Sequence, residues 1–404
     1  MSYEKNHEPG IPAGKESIAL CEPEIHGNEW KYIKDCLDTG WVSSVGAYVN
    51  SMEKAMASRS ETEFAVATVN GTAALHIALI VAGIKPDDEV LISTLTFIAP
   101  ANAIRYVGAW PVFIDAEPEY WQIDPSKLKD FLEKECSAKN GALVNKTTGR
   151  VIKAIMPVHI LGHPIDMDPI LELSKRFGLV VIEDATEGLG AKYKKKPLGS
   201  LGDIACFSFN GNKIITTGGG GMITTNNQVW AKRAKYLTTQ AKDDPIEFIH
   251  GEIGYNYRLT NIAAAMGVAQ LELLDEFILA KRRIAAVYSD AFRFMSGIQP
   301  IKEAEWAFST FWLYTILVDE QEYGVSSRKL IQKLAEENIQ ARPLWQPMHR
   351  SPSMQNCQSY NCNVADKLNK LAVSLPCSVG LSEEKQKKVI NVILASALST
   401  VEKN

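Results

Sequence analysis

The chain has 404 residues, 46% hydrophobic and 22% charged, with 43 Lys and Arg against 47 Asp and Glu. That is length for roughly two to three domains of about 150 residues, with a core that needs no disulfide or metal staple. The near balance of charge, net −4, excludes a disordered chain, a fibre and a basic nucleic-acid binder.

The polar N-terminus, MSYEKNHEPG, has no apolar run of the secretory kind and predicts a loose arm over 1–17. A helix is expected over 24–37. The longest apolar stretch, 64–84, is interrupted by Asn70, Gly71, Thr72 and His76, so it reads as a strand, a tight turn and a buried helix rather than a membrane span. Strands are expected at 64–69, 89–93, 110–115, 151–157, 179–183, 204–209 and 221–225. Helices between them fall at 72–82, 99–107, 125–135 and 168–177. Apolar strands alternating with helices predict a parallel sheet covered on both faces. Lys194, Lys195 and Lys196 form a solvated turn. Beyond this the pattern changes: one or two long helices over 259–291, a strand at 312–318, and helices at 326–336 and 382–398. The expected division is an arm (1–17), a large domain (18–275) and a smaller C-terminal α+β domain (276–404).

The seven cysteines, Cys21, Cys36, Cys136, Cys206, Cys357, Cys362 and Cys377, are odd in number and contain no CxxC. They predict reduced thiols and a cytoplasmic location. No GxSxG, HExxH or P-loop occurs, and the run Gly218–Gly221 lacks the Lys-Ser/Thr of a Walker loop. His159 and His163 are four apart, but Gly162 and Pro164 break any helix that would align them on a metal.

Asp184 ends the apolar strand VVIE, and Lys213 follows a second one, in Phe207-Ser208-Phe209-Asn210-Gly211-Asn212-Lys213. Ligands of open α/β sheets bind at the carboxyl ends of strands. A desolvated lysine there is a nucleophilic amine. A lysine that forms a Schiff base, and an aspartate facing a pyridinium nitrogen, are what pyridoxal 5′-phosphate (PLP) chemistry needs. Gly71 and Thr72, opening a helix, offer backbone N–H groups and a hydroxyl to a phosphate, and Ser208 can add another hydroxyl. Each signal alone also fits an ordinary loop or cap; their order along an α/β chain points to PLP.

At these residues the sequence resembles the DegT/DnrJ/EryC1/StrS family of PLP-dependent nucleotide-sugar aminotransferases. The resemblance runs from about Ile18 to the last helix. It is carried by NGTAALHIAL, EDATEGLGA, GSLGDIACFSFNGNKIITTGGGGMI and HGEIGYNYRLTNIAAAMGVAQL, with GWVSSVGAYVNSME and RPLWQPMH. It implies fold type I: a large domain on a mostly parallel seven-stranded sheet plus a small C-terminal α+β domain. It implies Lys213 as the Schiff-base lysine, Asp184 facing the ring nitrogen, and Thr186 and Phe97 on the two ring faces. Gly71, Thr72 and Ser208 would cradle the phosphate. Asn256 would reach it from the neighbouring subunit of a homodimer with shared sites. The alternatives are that Phe97 is plain core and that Arg258 merely caps the following helix.

Glu187 departs from the family's commoner Gln or His at the position that meets the cofactor's 3-oxygen. It is therefore protonated, paired or turned toward substrate. Lys213, rather than the histidine of the family's dehydratases, places the chain with the transaminases. The resemblance implies L-glutamate as donor and C4 of a nucleotide-linked 4-keto-6-deoxyhexose as acceptor, UDP- or GDP-linked and with a 2-acetamido group. That is the pattern of the legionaminic-acid and bacillosamine branch. Trp41, Ser43, Arg258, Trp345 and His349 would face substrate. Aromatics over 306–314 and 344–349 either line that pocket or pack the small domain. A PLP-dependent dehydratase or lyase and a 3-keto-sugar aminotransferase are the competing readings. No nucleic-acid, membrane or metal partner is expected.

Overall fold

The computed structural model describes residues 17–244 and 246–398. The expected arm lies outside the described residues apart from its last one.

Seven strands build the main sheet: β1 (Phe64–Thr68), β2 (Glu89–Ser93), β3 (Trp110–Ile114), β4 (Ile152–Met156), β5 (Val180–Asp184), β6 (Ile204–Ser208) and β7 (Gly221–Thr225). Their spatial order is β1-β7-β6-β5-β4-β2-β3, with Ser359–Tyr360 added at the β3 edge as an eighth, two-residue strand. Every pairing is parallel except the two made by β7, which runs against β1 and β6. The sheet is thus mostly parallel and expressed as near-continuous apolar runs, because helices cover both faces. All seven expected strands form, each within one or two residues of its expected ends.

The apolar stretch resolves into β1, a turn and the helix Gly71–Val81, which buries Ala73, Ala74, Leu75, His76, Ile77, Ala78 and Leu79. Being apolar all round, it sits inside the fold rather than on it. Among the described residues no helix is long and apolar enough to cross a membrane. The expected first helix begins later, at Glu29. Gln270 is the cause: its side chain donates to both the Glu24 carbonyl and the Glu29 carboxylate, holding 24–28 as a strap.

The long helical stretch is two helices, Asn261–Glu272 and Leu274–Phe292. A second, antiparallel sheet follows, in the order β8 (Ile298–Pro300), β9 (Tyr314–Val318) and β10 (Ala372–Leu375). The helix Ser327–Glu336 packs beside it, and Glu383–Leu398 packs on that helix and on Leu274–Phe292. The two sheets are tied together. Asp115, at the end of β3, pairs with Lys127 at 2.5 Å and accepts the N–H groups of Val364 and Ala365, opening the helix Asn363–Leu371. A buried carboxylate at a helix N-terminus is stabilised by those donors and by the dipole. Ile18 likewise crosses to the C-terminal part, bridging Ile339. The Lys194 turn closes a hairpin, with Lys194 and Lys195 at φ 45° and 73°.

Candidate active site

The register of β7 assembles the site. Gly221 faces Thr68 of β1 on one side and Ser208 of β6 on the other. The carboxyl ends of β1 and β6 therefore stop at one level, and the loop after β1 meets Ser208. A Cβ on Gly221 would lie 2.5 Å from the Asn70 carbonyl carbon, so only glycine permits that approach. Asp184 pairs with Cys206, two residues below Ser208, and so comes up beside the same point.

At that point is a cavity of about 330 Å3, lined among others by Gly71, Thr72, Phe97, Thr186, Glu187 and Ser208. Lys213, Trp312 and Trp345 close its other walls. A cavity of about 600 Å3 elsewhere, around Met295, Asp319 and Lys367, lies by the second sheet and holds none of these groups.

The helix Gly71–Val81 starts here because Asn70 caps it: its side chain accepts the Ala73 N–H at 2.7 Å. The first-turn N–H groups of Gly71 and Thr72 are left for an anion. A Cβ on Gly71 would sit 2.8 Å from Ser208 Cβ and 3.2 Å from Thr186 Cγ2. Backbone, two side chains and a helix N-terminus thus form a cradle that a side chain at 71 would fill.

Asp184 is 1% exposed and accepts the Thr186 N–H at 3.1 Å. Burial pushes its carboxyl above the usual range, against the Thr186 contacts and the Lys213 charge. A cationic ligand nitrogen would relieve that cost. The preceding Glu183 anchors the strand end from the other face. It accepts N–H groups of Gly199, Leu201 and Gly202 at 3.1, 2.8 and 2.6 Å, and faces His159 Nε2 at 3.2 Å. Burial alone would raise Glu183; His159 and these donors hold it below its ordinary value. His159 Nδ1 accepts the Ile165 N–H, while His163 uses Nδ1 toward the Pro164 carbonyl and Nε2 toward the Ala304 N–H. Both rings are spent on structure.

Lys213 Nζ lies 3.4 Å from Glu187 Oε1 and 3.9 Å from the centre of the Trp312 ring. The turn that carries it is pinned by Trp312 Nε1 donating to the Asn212 carbonyl at 2.7 Å. Glu187 Oε2 accepts the Leu161 N–H at 2.9 Å. Of the three options for Glu187, pairing is the one this geometry adopts. Burial nevertheless raises its carboxyl, outweighing Lys213 and Leu161, with Asp184 adding to the rise.

Of the remaining expected site residues, Trp345 alone lines the cavity. Asn256 is exposed, bridges Thr239 and does not line the cavity. Arg258 Nε donates to the Ser44 carbonyl at 2.7 Å. The Trp41 and Ser43 carbonyls accept from Asn261, whose N–H and side chain hold this loop. Trp345 lines the cavity, but His349 does not: its ring contacts Thr94 Oγ1 at 2.8 Å and Asp366 at 3.2 Å. Trp312 was legible only as one of several aromatics.

The arrangement can hold a phosphate at the Gly71–Thr72–Ser208 cradle, a flat ring between Phe97 and Thr186, a ring cation at Asp184 and a carbonyl at Lys213. Those are the functional groups of PLP, and the residues fit it.

The comparisons agree. The model of the DegT/DnrJ/EryC1/StrS aminotransferase family matches residues 23–394. EpsN of Bacillus subtilis (strain 168), provisionally named a pyridoxal phosphate-dependent aminotransferase, is 39% identical over 93% of this chain and 95% of its own. GDP-perosamine synthase of Caulobacter vibrioides is 41% identical over 92% of this chain and 96% of its own. The crystal structure of a DegT/DnrJ/EryC1/StrS aminotransferase from Brucella abortus superposes with a TM-score of 0.82 at 26% identity, covering 91% and 95% of the two chains.

The chain belongs to the DegT/DnrJ/EryC1/StrS aminotransferase family. It is a PLP-dependent nucleotide-sugar aminotransferase with the fold type I architecture.

Proposed function

We propose that the chain moves an amino group from L-glutamate to C4 of a nucleotide-linked 4-keto-6-deoxyhexose, for a bacterial surface glycan or nonulosonic acid. The observation that carries this reading is the meeting of Lys213 and the Gly71 cradle in one cavity, with Asp184 brought beside it by the pairing of β5 with β6. When bound, PLP supplies the electron sink that transamination needs. Lys213 holds the cofactor and, once released, carries the proton taken from the donor's α-carbon. Asp184 keeps a proton on the ring nitrogen. Glu187, 3.4 Å from the Lys213 amine, positions that amine. Gly71, Thr72 and Ser208 bind the phosphate, and Phe97 and Thr186 fix the ring plane.

The relatives named GDP-perosamine synthase, at 41% identity in both Caulobacter vibrioides and Escherichia coli O157:H7, support a GDP-linked acceptor. The UDP-linked 2-acetamido acceptor of the legionaminic-acid or bacillosamine pattern is the competing substrate. Incubation with L-glutamate and each of the two keto sugars, followed by mass spectrometry of the product, separates them. An amino sugar from the UDP compound alone would overturn the GDP assignment, and no amino sugar from either would overturn the reading.

The same reading includes a homodimer with shared sites and the division into units at about residue 275, in a protein of the cytoplasm. Exposed Trp41, Val45, Phe97, Tyr106 and Ile253 are apolar surface that a second copy would cover. Asn256 and Arg258, which miss their own chain's cavity, would then serve the partner's.

A further inference from the structure

Behind the Lys213 turn lies a cluster that the transamination does not use. Lys281, on the helix Leu274–Phe292, is 1% exposed. Its ammonium donates to the Trp312 carbonyl at 2.9 Å and approaches two sulfurs, Cys21 Sγ at 3.4 Å and Cys377 Sγ at 3.8 Å. Among the described residues it forms no ion pair with a carboxylate. A buried cation is costly without a counter-charge, and the groups able to supply one here are the thiols. Cys377 is buried, whereas Cys21 is partly exposed. The two segments run side by side, the Cys377 N–H donating to the Leu20 carbonyl at 2.9 Å.

We propose that Cys21 is a reactive thiolate site that takes up low-molecular-weight disulfides and passes the bond to Cys377. Cys21 attacks one sulfur of the incoming disulfide, forming a mixed disulfide and expelling one thiolate. Cys377 then attacks the Cys21 sulfur and expels the second. Two protein thiols are oxidised by two electrons, the reagent is reduced to two thiols, and the two protein protons end on them.

The surroundings suit the first step. A hydrogen bond from Cys377 and the charge of Lys281 outweigh burial and bring the Cys21 thiol down to about 6, with a smaller pull from Lys213. Cys377 shifts the other way, raised by its bond to Cys21 and by burial, so it keeps its proton while Cys21 makes the first attack. The site also bears on catalysis. As a thiol, Cys21 donates to the Asn212 carbonyl at 3.2 Å, one residue before Lys213. Loss of its proton, or its capture in a disulfide, removes that hydrogen bond. Trp312, whose ring faces Lys213, carries the carbonyl that receives both Lys281 and Cys377 Sγ.

The test uses the reduced wild-type protein at neutral pH. Cys357 is an internal reference, since it is also partly exposed and burial raises its thiol. Limiting iodoacetamide and peptide mapping should label Cys21 about tenfold or more faster than Cys357. Glutathione disulfide should then yield a Cys21–Cys377 cross-linked peptide. In a Cys377→Ser protein it should stop at glutathione on Cys21. Equal or slower labelling of Cys21, or a Cys21 that stays reduced in glutathione disulfide, would overturn the proposal.

Discussion

At the carboxyl ends of β1, β5 and β6, residues from three separate stretches reach one cavity. The loop at Trp41 and the segment Tyr255–Arg258 also hold expected site residues, yet these bind each other and stay outside it. The first group is placed by strand register, which one chain fixes alone. The second is ordered, by Asn261 and by the Arg258–Ser44 contact, but aimed elsewhere. A surface held in shape without reaching its own cavity is what a shared site needs, so the two regions should respond differently to mutation and to assembly.

The largest effect should come from the first region. Lys213→Ala should lower turnover by about 10^2–10^4-fold from the lost proton transfer alone, measured with keto sugar and glutamate. Asp184→Asn should cost about a hundredfold or more, as expected when a preorganised charge is removed. It should also separate function from stability. Burial raises the folded-state pKa of Asp184 above its unfolded value. The folded chain therefore binds the extra proton, and stability falls as pH rises through that interval. In the PLP-free protein, Asp184→Asn should melt higher than wild type at neutral pH, with the difference closing toward about pH 4. A lower melting point at neutral pH would contradict the burial argument.

Gly71→Ala should cost about 1–3 kcal/mol by overpacking against Ser208 and Thr186. It should also weaken PLP retention, read by equilibrium dialysis. Asn256→Ala should leave each subunit folded and weaken PLP binding by about 1.5–3 kcal/mol, the worth of a hydrogen bond to a charged group. Mixing it with Lys213→Ala should restore a fraction of activity through hybrid dimers with one intact site. No restoration would break the comparison, because both residues would then belong to one chain's site.

The main sheet was legible because each strand is an apolar run closed by a turn residue. Asp184 was legible because it ends such a run, and Lys213 because it follows one in the next loop. Ser359–Tyr360 was not: two residues carry no period. The helix Ala47–Arg59 left a signal that was passed over, in Val49, Met52 and Met56 at helical spacing. Trp312 reaches the site from 100 residues beyond Asn212, a pairing made by tertiary packing alone. The Glu187–Lys213 pair lay between, since the sequence showed the departure at 187 without choosing among its three explanations. The pair itself depends on the Leu161 N–H, at φ 60°, holding the second carboxylate oxygen.

The central claim is that Lys213 is the residue that takes the cofactor. Borohydride reduction of the PLP-loaded protein, followed by peptide mapping, tests it most directly. The account predicts one pyridoxyl-modified peptide, carrying the label on Lys213, and loss of that label when glutamate is added before reduction. A label on another lysine, or none on a protein that still transaminates, would contradict it.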